Sequence, residues 1–278
     1  MIEERGRILA ESMMRELQPG AARFHQLAGR PATLAIIATD DRTGTGFLEL
    51  KRARFRAAGL DVRARCLGAT ASTTDVLLEL HALNDDPAVD GIFLQLPLPV
   101  AVDAQRAAEV IGVAKDVDAV GSSNLGRLLL GTHLHLPATP AAVLQLLEDQ
   151  LGSVAGRSIM LVGGASVTER CIALLVLTRG GTACILAPAD PALADAAAGA
   201  DAVVITTDLP PGDALHNVRN GAVLIDAAYS LPPRPTQWLP PRALKRLGSY
   251  LPQYRNVGPL TIVILMQGTL RAAHLLRD

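Results

Sequence analysis

The chain has 278 residues, enough for one large domain or two smaller ones, each with its own core. Its formal net charge of -1, with arginines scattered among aspartates and glutamates, leaves no basic stripe and argues against nucleic acid as a partner. No apolar run approaches the roughly 20 residues of a membrane span, and Met1-Ile-Glu-Glu-Arg5 lacks the parts of a signal peptide. A cytoplasmic protein acting on a small molecule, away from membranes, is expected.

Apolar, β-branched stretches at Thr33–Ala38, Gly91–Leu96, Ile159–Val162, Ala183–Leu186, Ala202–Thr206 and Ala222–Ile225 alternate with longer segments of helical period. This alternation predicts an α/β chain with doubly wound parallel sheets, its strands apolar on both faces because helices cover each side. A lysine-bearing helix is expected over Phe47–Gly59, and its spacing puts Phe47 and Lys51 on one face. The run Gly91-Ile-Phe-Leu-Gln95-Leu96-Pro97-Leu-Pro99 ends a strand in one amide and two prolines, so Gln95 stands where backbone pairing stops and a cleft can open. A boundary is expected near Pro137–Val143, where a proline pair introduces a helix to about Leu151. A second αβ unit follows, then the turn-rich Leu231-Pro-Pro-Arg-Pro235 and a last helix over about Pro259–Leu276.

Three side-chain classes narrow the chemistry. Cys66, Cys171 and Cys184 are odd in number and widely spaced, so they read as small buried residues rather than a disulfide framework, and no metal site is expected. Basic residues are almost all arginine, leaving Lys51, Lys115 and Lys245 as the only lysines. A lysine is the better candidate for titratable chemistry, because arginine keeps its proton near neutral pH. Most helix-borne lysines are nevertheless simply solvated, a strand-end glutamine ordinarily satisfies a backbone group, and an aspartate such as Asp118 ordinarily caps or turns the chain.

The blocks Gln95-Leu-Pro-Leu-Pro99, Lys115-Asp-Val-Asp118 and Asn124-Leu-Gly-Arg127-Leu resemble the bifunctional methylenetetrahydrofolate dehydrogenase/methenyltetrahydrofolate cyclohydrolase family. The resemblance extends through Pro137-Ala-Thr-Pro140, Gly221-Ala-Val-Leu-Ile-Asp226 and Val257-Gly258-Pro259-Leu-Thr261. It implies an N-terminal αβ catalytic domain of residues 1–142 plus 259–278, to which the last helix returns, and a Rossmann-like domain of residues 143–258. It further implies a tetrahydrofolate derivative as substrate, Lys51 as the proton-transfer group, Gln95 as its orienter and Asp118 as the pterin anchor. Phe47, Leu96, Pro97, Val257, Gly258, Pro259 and Thr261 would line the folate. The family's Tyr-x-x-x-Lys becomes Phe47-x-x-x-Lys51, which keeps the ring and loses the hydroxyl. Two glycines before Val257 become Arg255 and Asn256, which alters the wall expected against the folate.

Resemblance weakens at the dinucleotide site. The family's Gly-Arg-Ser-x-x-Val-Gly-x-Pro stands here as Gly163-Gly-Ala165-Ser166-Val-Thr-Glu169-Arg-Cys171, so Gly163, Ala165 and Ser166 are a degenerate cofactor-binding set. Glu169 puts a carboxylate where phosphates would bind, and Ser166 with Glu169 forms a capping-box pattern that satisfies the helix itself. Asp190 is a candidate for an NAD ribose, and Thr207-Asp-Leu-Pro210 keeps only the proline of the family's Val-Gly-Lys-Pro. The expected activity is methenyltetrahydrofolate cyclohydrolase, giving 10-formyltetrahydrofolate, with NAD or NADP binding weak or lost. The alternatives are the full bifunctional NAD(P)-dependent enzyme, or a non-catalytic member that binds a pterin or another small ligand. A homodimer is expected from the resemblance.

Overall fold

The computed structural model describes residues 4–38, 41–96, 98–207, 212–228 and 238–277, with side chains in 41–47 and 212–214 outside the description. In chain order the elements are α1 (Arg5–Ala28), β1 (Thr33–Ala38), α2 (Asp41–Ala57), β2 (Asp61–Cys66), α3 (Thr73–Asp85), β3 (Gly91–Leu94), α4 (Ala104–Val110) and α5 (Ser122–Leu129). They continue as α6 (Ala138–Leu151), β4 (Ser158–Val162), α7 (Val167–Thr178), β5 (Thr182–Leu186), α8 (Leu193–Gly199), β6 (Ala202–Ile205), β7 (Val223–Asp226), α9 (Pro241–Arg246), β8 (Ser249–Leu251) and α10 (Val257–Leu275). The turn-rich stretch at Leu231–Pro235 lies outside the described residues.

The chain divides into two units. Residues Glu11–Ala138 group with Ile262–Asp278, and Met1–Ala10 group with Thr139–Thr261. The C-terminal helix therefore returns to the first unit from Ile262 onward, whereas the first ten residues, expected in that unit, group with the second. Asn256 gives a reason. Its buried side chain accepts the Gly6 N–H (2.9 Å) and donates to the Pro252 carbonyl, capping one of the open N–H groups at the start of α1.

The first unit is built on a parallel sheet of order β2-β1-β3. All six β1 residues are buried, as a central strand covered on both faces requires. Ala35, Ile37, Ile92 and Leu94 face Val76, Leu80 and Leu83 of α3 and Ala107 of α4. By strand alternation Leu34, Ile36 and Phe93 point to the opposite face. β1 connects to β2 on one side while β3 pairs on the other, so the C-terminal ends of β1 and β3 flank the sheet's topological switch point.

The second unit repeats this logic in a parallel sheet of order β5-β4-β6-β7-β8. Its switch point lies at the ends of β4 and β6. Met160, Val162, Val203, Ile205 and Leu224 form one core face with residues of α8 and α9 and the fully buried Tyr250. The outer strand β5 is only partly covered. Cys184 is consequently exposed, as is Cys66 at the end of the edge strand β2, and Cys171 alone matches the expected burial. Among the described residues, no helix is long and apolar enough to cross a membrane.

Candidate functional site

Backbone pairing brings together the sequence blocks that carry the site. Ile92 donates its N–H to the Lys115 carbonyl (2.7 Å), and a parallel bridge pairs Ile92 with Asp116. Beyond β3, the Gln95 N–H continues the ladder to the Ile37 carbonyl (2.9 Å). Gln95 and Asp118 thereby follow elements held side by side.

The Lys-Asp-Val-Asp block is mostly scaffold. Lys115 is buried, and its Nζ donates to the carbonyls of Leu83, Asn84 and Asp86, closing the C-terminal end of α3. Asp116 accepts from the backbone N–H groups of Val120 and Gly121 and from Asn124 Nδ2, which fixes the loop into α5. Ala119, the residue after this block, has φ of 50°, a left-handed conformation that a Cβ disfavours.

Lys51 on α2 is 1% exposed, which is rare for a lysine. Its Nζ donates to Gln95 Oε1 at 2.7 Å, while Gln95 Nε2 donates to the Leu96 carbonyl at 2.8 Å and so fixes which end of the amide faces the amine. The ring of Phe93 lies beneath the same nitrogen, 4.0 Å from Nζ to the centroid. Burial pulls the Lys51 ammonium down from 10.5 to about 7, against the opposing attraction of Asp118. Asp118 keeps part of its surface open, yet its carboxyl is surrounded by protein. Burial raises that carboxyl from 3.8 to about 7, with the Ala138 N–H, the Asp116 charge and Lys51 as successively smaller influences. Asp118 Oδ1 accepts the Ala138 N–H at 2.8 Å, so it also caps the first turn of α6. An amine and a carboxyl both poised near neutrality form a pair suited to proton transfer.

The structure thus brings Lys51 and Gln95 into direct contact, with Asp118 near enough to act on the amine. Leu96 is largely exposed. The Phe47 side chain and Pro97 lie outside the described residues. Val257, Gly258, Pro259 and Thr261 form the first turn of α10 in the other unit, where Thr261 Oγ1 donates back to the Val257 carbonyl at 2.8 Å. Arg255 pairs with Glu4 and stacks over Tyr254, and Asn256 caps α1 as described above. These two residues therefore anchor the N-terminal segment. Phe93 was not singled out by the sequence, although its place two residues before Gln95 puts both side chains on one face of the strand.

At the second switch point, β4 runs into Gly163, Gly164 and Ala165, the last at φ of 55°, and then into α7. Ser166 is the N-cap and accepts the Thr168 N–H at 3.2 Å. The Ser166 oxygen takes the Thr168 N–H and not the Glu169 N–H that the expected capping box would use, and the Glu169 carboxylate turns to hydroxyl groups instead. It accepts the Ser166 hydroxyl through Oε2 and, across the sheet, the Thr206 hydroxyl at the end of β6 through Oε1. A Cβ on Gly163 would collide with both Glu169 and Thr206. Burial works to raise the Glu169 carboxyl, but bonds from Ser166, Thr206 and backbone N–H groups outweigh it and hold it below its ordinary range. Asp190 Oδ1 accepts the Ala192 N–H at 2.9 Å in a local turn before α8. The stretch Asp208–Pro210 lies outside the described residues.

Comparison with known proteins decides the family. A family described as tetrahydrofolate dehydrogenase/cyclohydrolase matches through its catalytic domain at residues 5–118 and its NAD(P)-binding domain at residues 137–277. The chain belongs to the tetrahydrofolate dehydrogenase/cyclohydrolase family. A relative named bifunctional protein FolD from Bordetella avium is 31% identical over 271 residues, covering 96% of this chain and 95% of the relative. Bifunctional protein FolD 3 of Rhizorhabdus wittichii is 31% identical over 278 residues, with coverage of 97% and 91%. Among solved structures, the Trypanosoma brucei methylenetetrahydrofolate dehydrogenase-cyclohydrolase, complexed with NADP cofactor and inhibitor, aligns with a TM-score of 0.88 at 24% identity over 100% of this chain and 98% of that one. A methylenetetrahydrofolate dehydrogenase from the silkworm Bombyx mori aligns with a TM-score of 0.84 at 25% identity over 98% and 97%. The first of these likenesses is one of fold.

Proposed function

We propose that this chain is a methenyltetrahydrofolate cyclohydrolase in which dehydrogenase activity is weak or lost. The observation that carries the hydrolytic half is the buried Lys51 amine, held 2.7 Å from Gln95 Oε1 and titrating at about 7. In this reading Asp118 anchors the pterin of the substrate through its amino-pyrimidine edge, and Leu96 borders it. Water adds to the methenyl carbon, and the neutral Lys51 amine accepts the proton released as the new C–O bond forms. The resulting ammonium returns that proton to N5 as the C–N5 bond breaks. The second water proton leaves with the formation of the formyl C=O, so 10-formyltetrahydrofolate and one proton are the products. Gln95 keeps the amine in line through both transfers.

Weak dinucleotide binding is supported by the β4–α7 turn, which does not suit a pyrophosphate. Phosphate at a helix N-terminus needs free N–H groups and a favourable field. Here Ser166 and Glu169 already occupy the turn of Gly163 and Ala165, and Glu169 is ionised and bonded to Thr206. A nicotinamide cofactor would supply hydride transfer when bound; water addition does not require it. The second reading is the full bifunctional enzyme with NADP or NAD held through compensating contacts, Asp190 among them. It is favoured by the NAD(P)-binding domain match and by the names of the relatives. A homodimer is part of the proposal, supported by the half-covered Ile185 and Leu186 on the outer strand β5. The test is hydrolysis of methenyltetrahydrofolate by the purified protein and by Lys51→Met. Turnover that survives the substitution unchanged would remove Lys51 from the mechanism.

A further inference from the structure

We infer that Phe93 is a positioning residue of the Lys51 centre, its ring holding the amine against Gln95 and favouring the protonated state. The argument begins with the strand. Phe93 and Gln95 lie two residues apart, so both project from the same face of the sheet towards α2. Nζ then sits 4.0 Å from the Phe93 centroid and 2.7 Å from Gln95 Oε1, so one strand presents both a ring face and an amide oxygen to a single nitrogen.

An aromatic face carries the negative part of its quadrupole, which attracts a cation and gives a neutral amine much less. The attraction strengthens when water is excluded, and Lys51 is 1% exposed. Asp118, from the loop before α5, supplies the charge that opposes its deprotonation. Gln95 and Phe93 on the β3 side are uncharged, and on α2 itself Glu49 is engaged by Arg52 at the surface. Burial disfavours the charged amine. The ring, alongside the Asp118 charge, opposes this and favours the ammonium. Its catalytic meaning rests on the proposed role of Lys51, but the effect on the amine does not.

The composition of the chain supplies the test, because Lys51, Lys115 and Lys245 are the only lysines. Protein labelled with ¹³Cε-lysine gives one resonance for each, and Lys51→Met assigns the first. In Phe93→Leu, which keeps an apolar side chain and removes the ring, the Lys51 titration midpoint should fall by about 0.5–1 pH unit. The alkaline-favoured limb of the methenyltetrahydrofolate hydrolysis profile should move with it, and Phe93→Tyr should restore the wild-type midpoint. An unmoved Lys51 midpoint in folded Phe93→Leu overturns the proposal. Should Phe93→Leu fail to fold, Phe93→Trp replaces it; a midpoint held or raised supports the role of the ring, and a lowered one contradicts it. The resonance reads the amine whether or not substrate is turned over. A protein that shows the shift but no hydrolysis would refute the cyclohydrolase reading and leave this inference standing.

Discussion

The two sheets of this molecule solve the same geometric problem and fill it differently. Each places a switch point at strand ends, β1 and β3 in one unit, β4 and β6 in the other. At the first, a buried amine bonds an amide and lies over a ring, with a carboxyl that burial raises to about 7 close enough to act on it. At the second, a glutamate uses the hydroxyls of Ser166 and Thr206 to satisfy itself. The comparison teaches that switch points of one geometry can be filled with opposite chemistry, a buried amine lowered to about 7 at one and a carboxylate held low by hydroxyl donors at the other.

The sharpest way to break the contrast is to remove the amine. Lys51→Met should lower methenyltetrahydrofolate hydrolysis by about 10²–10⁴-fold, the usual span for a general acid-base group. The same variant should melt about 2–4 °C higher, because a buried amine gives way to an apolar side chain. The pair also predicts a pH signature. Asp118 binds its proton more tightly folded than unfolded, so its contribution to stability falls as pH rises from 3.8 to about 7. Lys51 binds its proton less tightly folded, so its contribution rises from about 7 to 10.5. Urea unfolding across pH should show a minimum near neutrality that Lys51→Met with Asp118→Asn removes.

Scaffold and site are separated by Lys115. Lys115→Met leaves the carbonyls at the end of α3 without their donor and should cost about 2–3 kcal/mol in urea unfolding. At the other switch point, Glu169→Gly should raise NADP affinity about tenfold, or roughly 1.4 kcal/mol, in a calorimetric titration. It should also lower stability, since Ser166 loses its carboxylate acceptor and Thr206 keeps only the Val162 carbonyl. The smallest effect is expected at Ala119. Ala119→Gly should relieve the left-handed strain at φ of 50° and, after the larger unfolded-state freedom of glycine, stabilise by about 0.5 kcal/mol.

Much of this contrast was legible in the residues. The run Thr33–Ala38 read as a strand and is β1 to the residue, because six buried positions leave a propensity signal undiluted. Gly91–Leu96 was read two residues long, since the prolines that stop the ladder also end the apolar run. β2 and β8 were missed: Asp61–Cys66 carries two arginines on an edge, and Ser249–Leu251 is too short to show a period. At the site, Lys51, Gln95 and Asp118 were named from motif and spacing. The partners that no linear pattern displays were not: Phe93 beneath the amine requires knowing which face of β3 meets α2, and the bond from Thr206 to Glu169 requires the pairing of Val162 with Ile205. The exposure of Cys66 and Cys184 escaped for the same reason, because strand order decides which strands lie at an edge.

One paired assay reaches the centre of the account. The purified protein is given methenyltetrahydrofolate alone, and separately methylenetetrahydrofolate with saturating NADP or NAD, and the two rates are compared at one enzyme concentration. The account predicts hydrolysis that depends on Lys51, with reduction of the nicotinamide slower by at least tenfold and accelerated by Glu169→Gly. Dinucleotide reduction as fast as hydrolysis in the wild-type protein would contradict it.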